Sequence, residues 1–376
     1  MKRLNIENIK NQLDKLGLSQ SSLTTALGVS KQSVSNWLSH TKYPRPATLL
    51  KLAQTLKLTY NEIVIKEIDT IEPVIAFRKK GNHKISDDYI EDARDKGYLL
   101  EHLVPYLPYD NFSQPPVLKE PILDYDYIHQ VADTVRKDIG KSKEEEIKIS
   151  DLITFFNTNH AVLIPVFWGN KRNHENALHV FLPSSMTTWI YINLDSKIHD
   201  FKFWLAHELG HVKAPSLREN EAEDFADKFA GSLLISRELA KREYLDIKKL
   251  QSSSAQVSRI IDIAKELIVS PLTVYFEINR YAEHANKPII NLETDSIIYR
   301  ANTAFCSKYY NVAETLFEEL PPSPHKYINI SKDYFKTPFF DALEPFLKEK
   351  QKSPSFLQSI LSISPPDAHA LYEEMC

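Results

Sequence analysis

The sequence predicts an α+β chain, mainly α, built from more than one domain. Three observations carry this reading. Residues 5–65 place apolar side chains at helical spacing, broken by glycine and proline. Residues 161–194 hold three short β-rich runs. Beyond residue 200 the pattern is again mostly helical. A length of 376 residues fits two or three domains. The expected divisions are 1–66, a partly helical and proline-rich linker at 67–126, a domain at 127–290, and an α-rich region at 291–376.

Composition narrows the class. Hydrophobic residues make up 43% and charged residues 26%, enough apolar content for packed cores. No apolar run approaches the ~20 residues of a membrane span. MKRLNIENIKNQLDKL lacks the apolar centre of a signal peptide. The two cysteines, Cys306 and Cys376, supply neither a disulfide framework nor a thiolate metal site. These features imply a cytoplasmic protein without a membrane partner.

Charge is uneven. Residues 1–66 carry ten Lys/Arg and three Asp/Glu, a balance of +7 in a chain of net −4, which leaves −11 on the remainder. A small basic front on an acidic body suits an anionic partner, although a solvated basic surface has the same balance.

That front reads as four short helices. Leu13 and Leu16 lie on one helix, which Gly17 stops. Ser19 caps a second, running to Gly28. Ser30 caps a third, Lys31–Leu38, with Val34, Trp37 and Leu38 inward. After Pro44 and Pro46 a fourth runs Ala47–Leu56. Helix, glycine turn, helix is the geometry that lays its second helix in the DNA major groove. The outer face of that helix offers Lys31, Gln32, Ser33, Ser35 and Asn36. Gln and Asn pair with adenine edges, while Lys reaches guanine or phosphate. Gln20 opens the preceding helix, where a side chain and a helix N-terminus together hold a phosphate. A helical bundle for protein contacts is the alternative reading.

SQSSLTTALGVSKQSVSNWLSH, followed by a proline-started helix, resembles the Xre/Cro-type helix-turn-helix regulators over about residues 5–65. The resemblance implies double-stranded operator DNA as partner and a homodimer on two half-sites. SHTKYPRP departs from the family after the recognition helix.

In the expected linker, FRKK at 77–80 reads as a solvated turn, residues 84–104 as polar and helical, and residues 105–125 as an extended spacer with five prolines. Residues 133–160 read as helix, turn, helix. AVLIPVF (161–167), ALHVFL (177–182) and TWIYINL (188–194) are strand-like with short connections, so a small antiparallel sheet is expected. A helix over 200–212 follows at once, and it contains HELGH at 207–211.

Residues four apart on a helix share a face, so His207 and His211 can converge on one ion. Zinc takes imidazole nitrogens and keeps an open position for water in catalytic sites. Glu208 is turned about 100° away, toward the water rather than the metal. Such a site needs a third protein ligand. The next helix offers Glu219, Glu221, Glu223, Asp224 and Asp227. HExxH alone also arises by chance.

HELGH followed by E-x-x-A-D and FA-x-x-LL resembles the ImmA/IrrE family of zinc metallopeptidases over roughly residues 150–290. The matching positions are His207, Glu208 and His211, then Glu223, Ala226 and Asp227, then Phe229, Ala230, Leu233 and Leu234. The resemblance implies a gluzincin-like domain with Zn2+ held by His207, His211 and Glu223. It also implies Glu208 as general base and Asp227 as the carboxylate that orients a ligand histidine. Ser236 stands where a proline often ends the LLxP motif.

His179 and Tyr191, on the expected strands, are the candidates to stabilise the oxyanion, and His174 is a weaker one. Residues 256–284 read as two helices broken at Ser270–Pro271, with a packing role favoured over a second DNA reader. In residues 290–376, IINL and SIIYR look strand-like, and no motif carries chemistry. The combined expectation is a DNA-binding regulator fused to a zinc endopeptidase that cuts a repressor-like protein in a stress, prophage or mobile-element response. The alternative is an antitoxin-like or autoregulatory DNA-binding protein, paired with a neighbour-encoded toxin, whose zinc site is structural or binds peptide without cutting.

Overall fold

A computed structural model of the chain describes residues 2–38, 44–66, 72–77, 87–109, 117–168 and 177–376. The fold divides into two compact units, 1–72 and 73–376, each with its own hydrophobic core.

In the first unit, β1 (Lys2–Leu4) pairs antiparallel with β2 (Val64–Lys66), joining its two ends. Between them run α1 (Ile6–Leu16), α2 (Gln20–Leu27), α3 (Lys31–Leu38), α4 (Pro46–Leu56) and the short α5 (Tyr60–Ile63). The expected helices are all present. Ser19 Oγ accepts from the Ser22 N–H at 3.1 Å and Ser30 Oγ from the Ser33 N–H at 3.1 Å, each capping its helix. Gly28 ends α2 at φ 69°, a left-handed conformation that only glycine adopts without cost. Pro46 occupies the first turn of α4, where its missing N–H is not needed. Ile9, Leu23, Val34, Trp37, Leu52 and Leu56 close the core.

The second unit begins with β3 (Val74–Phe77), α6 (Asp87–Glu101) and a 3-10 turn at Val104–Tyr106. There follow α7 (Tyr125–Asp138), α8 (Ile149–Thr158), β4 (Ala161–Val166), β5 (Ala177–Leu182), β6 (Thr187–Asn193), α9 (Ile198–Lys213) and α10 (Glu219–Leu234). Next come α11 (Arg237–Lys248), α12 (Ser253–Leu267), α13 (Pro271–His284) and, after a 3-10 turn, α14 (Ile297–Cys306). Last are α15 (Val312–Leu316), α16 (Pro324–Tyr334), α17 (Phe339–Glu349), α18 (Pro354–Leu361) and α19 (Pro365–Met375).

The sheet order is β3-β5-β6-β4, and the expected all-antiparallel arrangement is corrected to a mixed one. β4 runs parallel to β6, while β5–β6 and β3–β5 are antiparallel. The segment expected as linker thus contributes an edge strand and α6 to this unit. The basic cluster at residues 78–80 lies outside the described residues, as do residues 110–116 of the proline-rich stretch.

Two strand expectations in the last third also fail. Ile297–Cys306 is helical, and residues 289–292 form no strand. β-branched residues suit a buried helix face as well as a strand when the run is this short.

The C-terminal helices share the core with the sheet. Phe339, Phe340, Leu343, Phe346 and Ile360 are buried in it. They also cover the β4 edge. Tyr327 Oη donates to Pro165 O at 2.5 Å, and Thr337 Oγ1 donates to Leu163 O at 2.5 Å. Unpaired edge carbonyls are thereby satisfied. Among the described residues, no helix is long and apolar enough to cross a membrane.

Candidate metal centre

α9 is buried nearly all round: Phe201, Leu205, Ala206, Leu209 and Val212 all lie in the core. A helix enclosed in this way can bury polar side chains only if they are paired. Its partner is α10, and one residue sets how closely they approach. A Cβ on Gly210 would stand 2.7 Å from the Cα of Ala226, so the two backbones nearly touch there. Glu223, one turn before Ala226, and Asp227, directly after it, are thereby brought over the histidine face of α9.

Three side chains converge. His207 Nε2 and His211 Nε2 are 3.0 Å apart. Glu223 Oε2 lies 3.5 Å from His207 Nε2, and Glu223 Oε1 lies 3.4 Å from His211 Nε2. Zinc at ~2.0–2.1 Å from each of four tetrahedral donors sets their separations at about 3.3 Å. The triangle is close to one face of that tetrahedron. Both histidines are buried, and Glu223 is largely so. Two imidazoles and a carboxylate are a donor set that zinc accepts, so residues and spacing fit the ion.

Asp227 stands behind the cluster. Its Oδ1 accepts from His207 Nδ1–H at 2.8 Å, which leaves Nε2 facing Glu223 and His211. Burial alone would lower the His207 pKa, but the Asp227 and Glu223 carboxylates outweigh it and raise it to about 9. Burial alone would raise the Glu223 pKa, but hydrogen bonds from His207 and His211 outweigh it and hold it at about 2. The pocket therefore favours positive charge between the imidazoles, which a divalent cation also supplies. Glu208, buried beside His207 on α9, adds its negative charge to the same field.

The other sequence candidates separate. His179 is buried on β5 with its ring 6.0 Å from that of His211, and among the described residues its Nε2 has no hydrogen-bond partner. Burial, reinforced by the His211 charge, pushes its pKa down to about 3, so the imidazole is neutral. Tyr191 is a correction. In the β5–β6 ladder it is opposite Leu178, while His179 is opposite Ile190. Successive residues alternate faces, so Tyr191 points away from His179, and its ring stacks on Trp168 at 5.6 Å. It is a packed core residue, not part of the site. His174 lies outside the described residues, as does the side chain of Glu219, and Glu221 is exposed.

Trp204 was not singled out in the sequence. It is one turn before His207 and meets its ring edge-on at 5.5 Å. The i, i+3 spacing from His207 was the available signal.

In the first unit, Gln20, Lys31, Gln32 and Ser35 are exposed, and Ser33 and Asn36 are half-buried. Gln32 Nε2 donates to Asn36 Oδ1 at 3.0 Å, pairing the two amides one turn apart on α3. Ser33 Oγ is 2.9 Å from the capping Ser30 Oγ, so it is engaged at the start of the helix.

Comparison with known proteins agrees with this part of the chain. Residues 9–63 match the family model described as helix-turn-helix. The amino-terminal unit is therefore a helix-turn-helix domain, the DNA-binding module of transcriptional regulators. No curated protein and no solved structure matches the chain.

Proposed function

We propose that this protein is a DNA-binding transcriptional regulator whose second unit is a zinc-dependent endopeptidase, as its resemblance to the ImmA/IrrE metallopeptidases implies. Its substrate class is a regulatory, repressor-like protein. The observation that supports this best is the convergence of His207, His211 and Glu223 to within 4.8 Å, with His207 oriented by Asp227.

His207, His211 and Glu223 would hold the ion through two nitrogens and one oxygen. Zinc supplies Lewis acidity toward a water and a peptide carbonyl. Glu208, adjacent to His207 but turned about 100° around the helix, takes the water proton and delivers it to the leaving amine. Asp227 fixes the His207 tautomer and ring plane. Burial keeps His179 neutral, and its Nε2 has no partner among the described residues; this supports a role for it as donor to the oxygen that would become negative as the carbonyl is attacked. The amino-terminal unit brings this chemistry to operator DNA, with a homodimer reading two half-sites.

The test is metal content and cleavage measured together. Wild type and Glu208→Gln should each hold about one zinc per chain, and His207→Ala and Glu223→Ala should hold none. Glu208→Gln should then fail to cut the repressor that wild type cuts. A Glu208→Gln protein that cleaves as wild type does would sink the peptidase reading and leave a regulator with a structural metal site.

A further inference from the structure

The second unit contains a cavity of about 700 Å3 between α9, α10, α13 and α14. This is well within the size of a small-molecule site. None of the three metal-triangle residues lines it. It lies instead behind His207, on the side of the ring whose Nδ1 meets Asp227.

The lining has an order that follows from the helices. Lys197 and Asp200 stand at the start of α9, while Asp227 and Lys228 stand on α10. Asp227 contacts His207, seven residues beyond Asp200. At 1.5 Å per residue the two charged ends are therefore about 10 Å apart along α9. Each of these two ends holds an acid and a base. Glu277 and Arg280 of α13 also line the cavity and are ion-paired with each other at 2.5 Å, and the wall between the ends carries Trp204 of α9 and Phe276 of α13.

A ligand that satisfies this wall is elongated, charged at both ends and apolar in the middle. Three extended residues span about 10 Å. We propose that the cavity binds a short zwitterionic peptide with an apolar central side chain. Asp200 takes its ammonium group, and Lys228 takes its carboxylate. The other charge at each end is engaged: Lys197 Nζ donates to Tyr309 O at 2.8 Å, and Asp227 holds His207. Asp200 has His199 Nε2 at 3.9 Å, but burial holds that imidazole toward its neutral form, so the Asp200 charge is not neutralised there. The central side chain lies against Trp204 and Phe276. This site is separate from the metal triangle and does not depend on the peptidase reading.

The experiment is calorimetric titration of the full-length chain with the tripeptide Gly-Phe-Gly, its N-acetylated form and its C-amidated form. Titrations are run on wild type, Glu208→Gln, Asp200→Asn, Lys228→Gln and Phe276→Ala, with and without a zinc chelator. The free tripeptide should bind. Blocking either end, or changing Asp200 or Lys228, should weaken binding about tenfold, the order of one charge-assisted hydrogen bond. Phe276→Ala should weaken it as well. Glu208→Gln and chelation should leave the affinity unchanged.

Three results overturn the proposal. One is no binding at about 10 mM peptide, weaker than any specific site of this size requires. Another is equal affinity for the end-blocked forms. The third is binding lost on chelation, which would place the peptide at the metal triangle. Asp200 and Lys228 are half-buried, and Asn and Gln are close to them in size, so far-ultraviolet circular dichroism and urea unfolding of both variants check that the fold is unchanged for the comparison.

Discussion

Gly210 of α9 and Ala226 of α10 meet so closely that a single added methyl would stand 2.7 Å from the opposing Cα. Glycine in mid-helix ordinarily costs about 1 kcal/mol relative to alanine. Gly210→Ala should nonetheless be unfavourable, because the neighbour is backbone and cannot move aside as a side chain would. We expect a net loss of about 1–3 kcal/mol in the second unit, the usual range for overpacking. Gly210→Val should lose more. Zinc affinity should fall with it, since separating the helices draws Glu223 away from the histidines. Denaturant titration and zinc competition on the same samples check both.

Asp227→Asn keeps shape and removes charge. The amide can still accept from His207 Nδ1, but it no longer favours positive charge on the ring. Loss of such an outer carboxylate typically reduces metal affinity 10–100-fold. Competition with a chromophoric chelator should show a weakening in that range with little change in stability. An unchanged zinc affinity would remove Asp227 from the site.

His179 and Tyr191 provide a matched pair on neighbouring strands. If the proposed peptidase reading holds, His179→Phe should retain zinc and lower the cleavage rate about 10²–10³-fold, the cost of losing one donor to a developing oxyanion. Tyr191→Phe should leave cleavage unchanged. Its hydroxyl is buried and has no hydrogen-bond partner among the described residues, so removing it should be neutral or slightly stabilising. Rate measurements on zinc-loaded variants distinguish the two, and a reversed result would mean that the sheet faces have been misassigned.

The contrast between these two residues shows how much could be read ahead of the structure. The convergence of His207 and His211 was legible because a helix fixes which residues share a face. Glu223 needed the resemblance as well, since spacing alone left five acidic residues open. Tyr191 and His179 were not separable, because a strand pattern reveals alternation but not which face meets α9. β3 was hidden because it is only four residues long, at the edge of a stretch dominated by polar residues and proline. The parallel pairing of β4 with β6 was hidden for a different reason. Direction follows from which strands are neighbours: β4 lies beside β6 and not beside β5, which follows it in sequence, and local sequence does not encode that order.

In the helix-turn-helix unit, operator binding should weaken steeply as salt rises, because phosphate contacts release counterions. Lys31→Ala should lower affinity across sequences or at one guanine. Gln32→Ala should cost about 1–3 kcal/mol at its own base pair and relax discrimination there. The Gln32–Asn36 amide pair makes the second effect larger than one side chain alone, since the half-buried Asn36 loses its partner one turn away on α3. Binding isotherms on an operator and its single-base variants, at several salt concentrations, measure both. Salt-independent binding would argue against a DNA-reading surface.

His129 makes stability depend on pH. It is buried on α7, with its ring 4.4 Å from that of Tyr125. Burial first, then the charges of Arg280 and Arg237, push its pKa from the ordinary 6.5 down to about 3. The folded state therefore keeps this imidazole neutral where the unfolded chain protonates it. Between pH 6.5 and 3 the unfolded state binds more protons, so stability rises with pH there. The contribution is complete above pH 6.5 and is lost progressively as pH falls below it. At 1.36 kcal/mol per unit, lowering pH from 6.5 to 5 should remove up to about 2 kcal/mol through this group. His129→Gln cannot titrate and should flatten the slope in that window, at some fixed cost from altered packing. Urea unfolding of both proteins at pH 7.5, 6 and 5 isolates the effect, because every other group contributes equally to the two curves. Parallel curves would show that His129 is protonated at little cost in the fold, and that Arg280 and Arg237 do not hold it neutral.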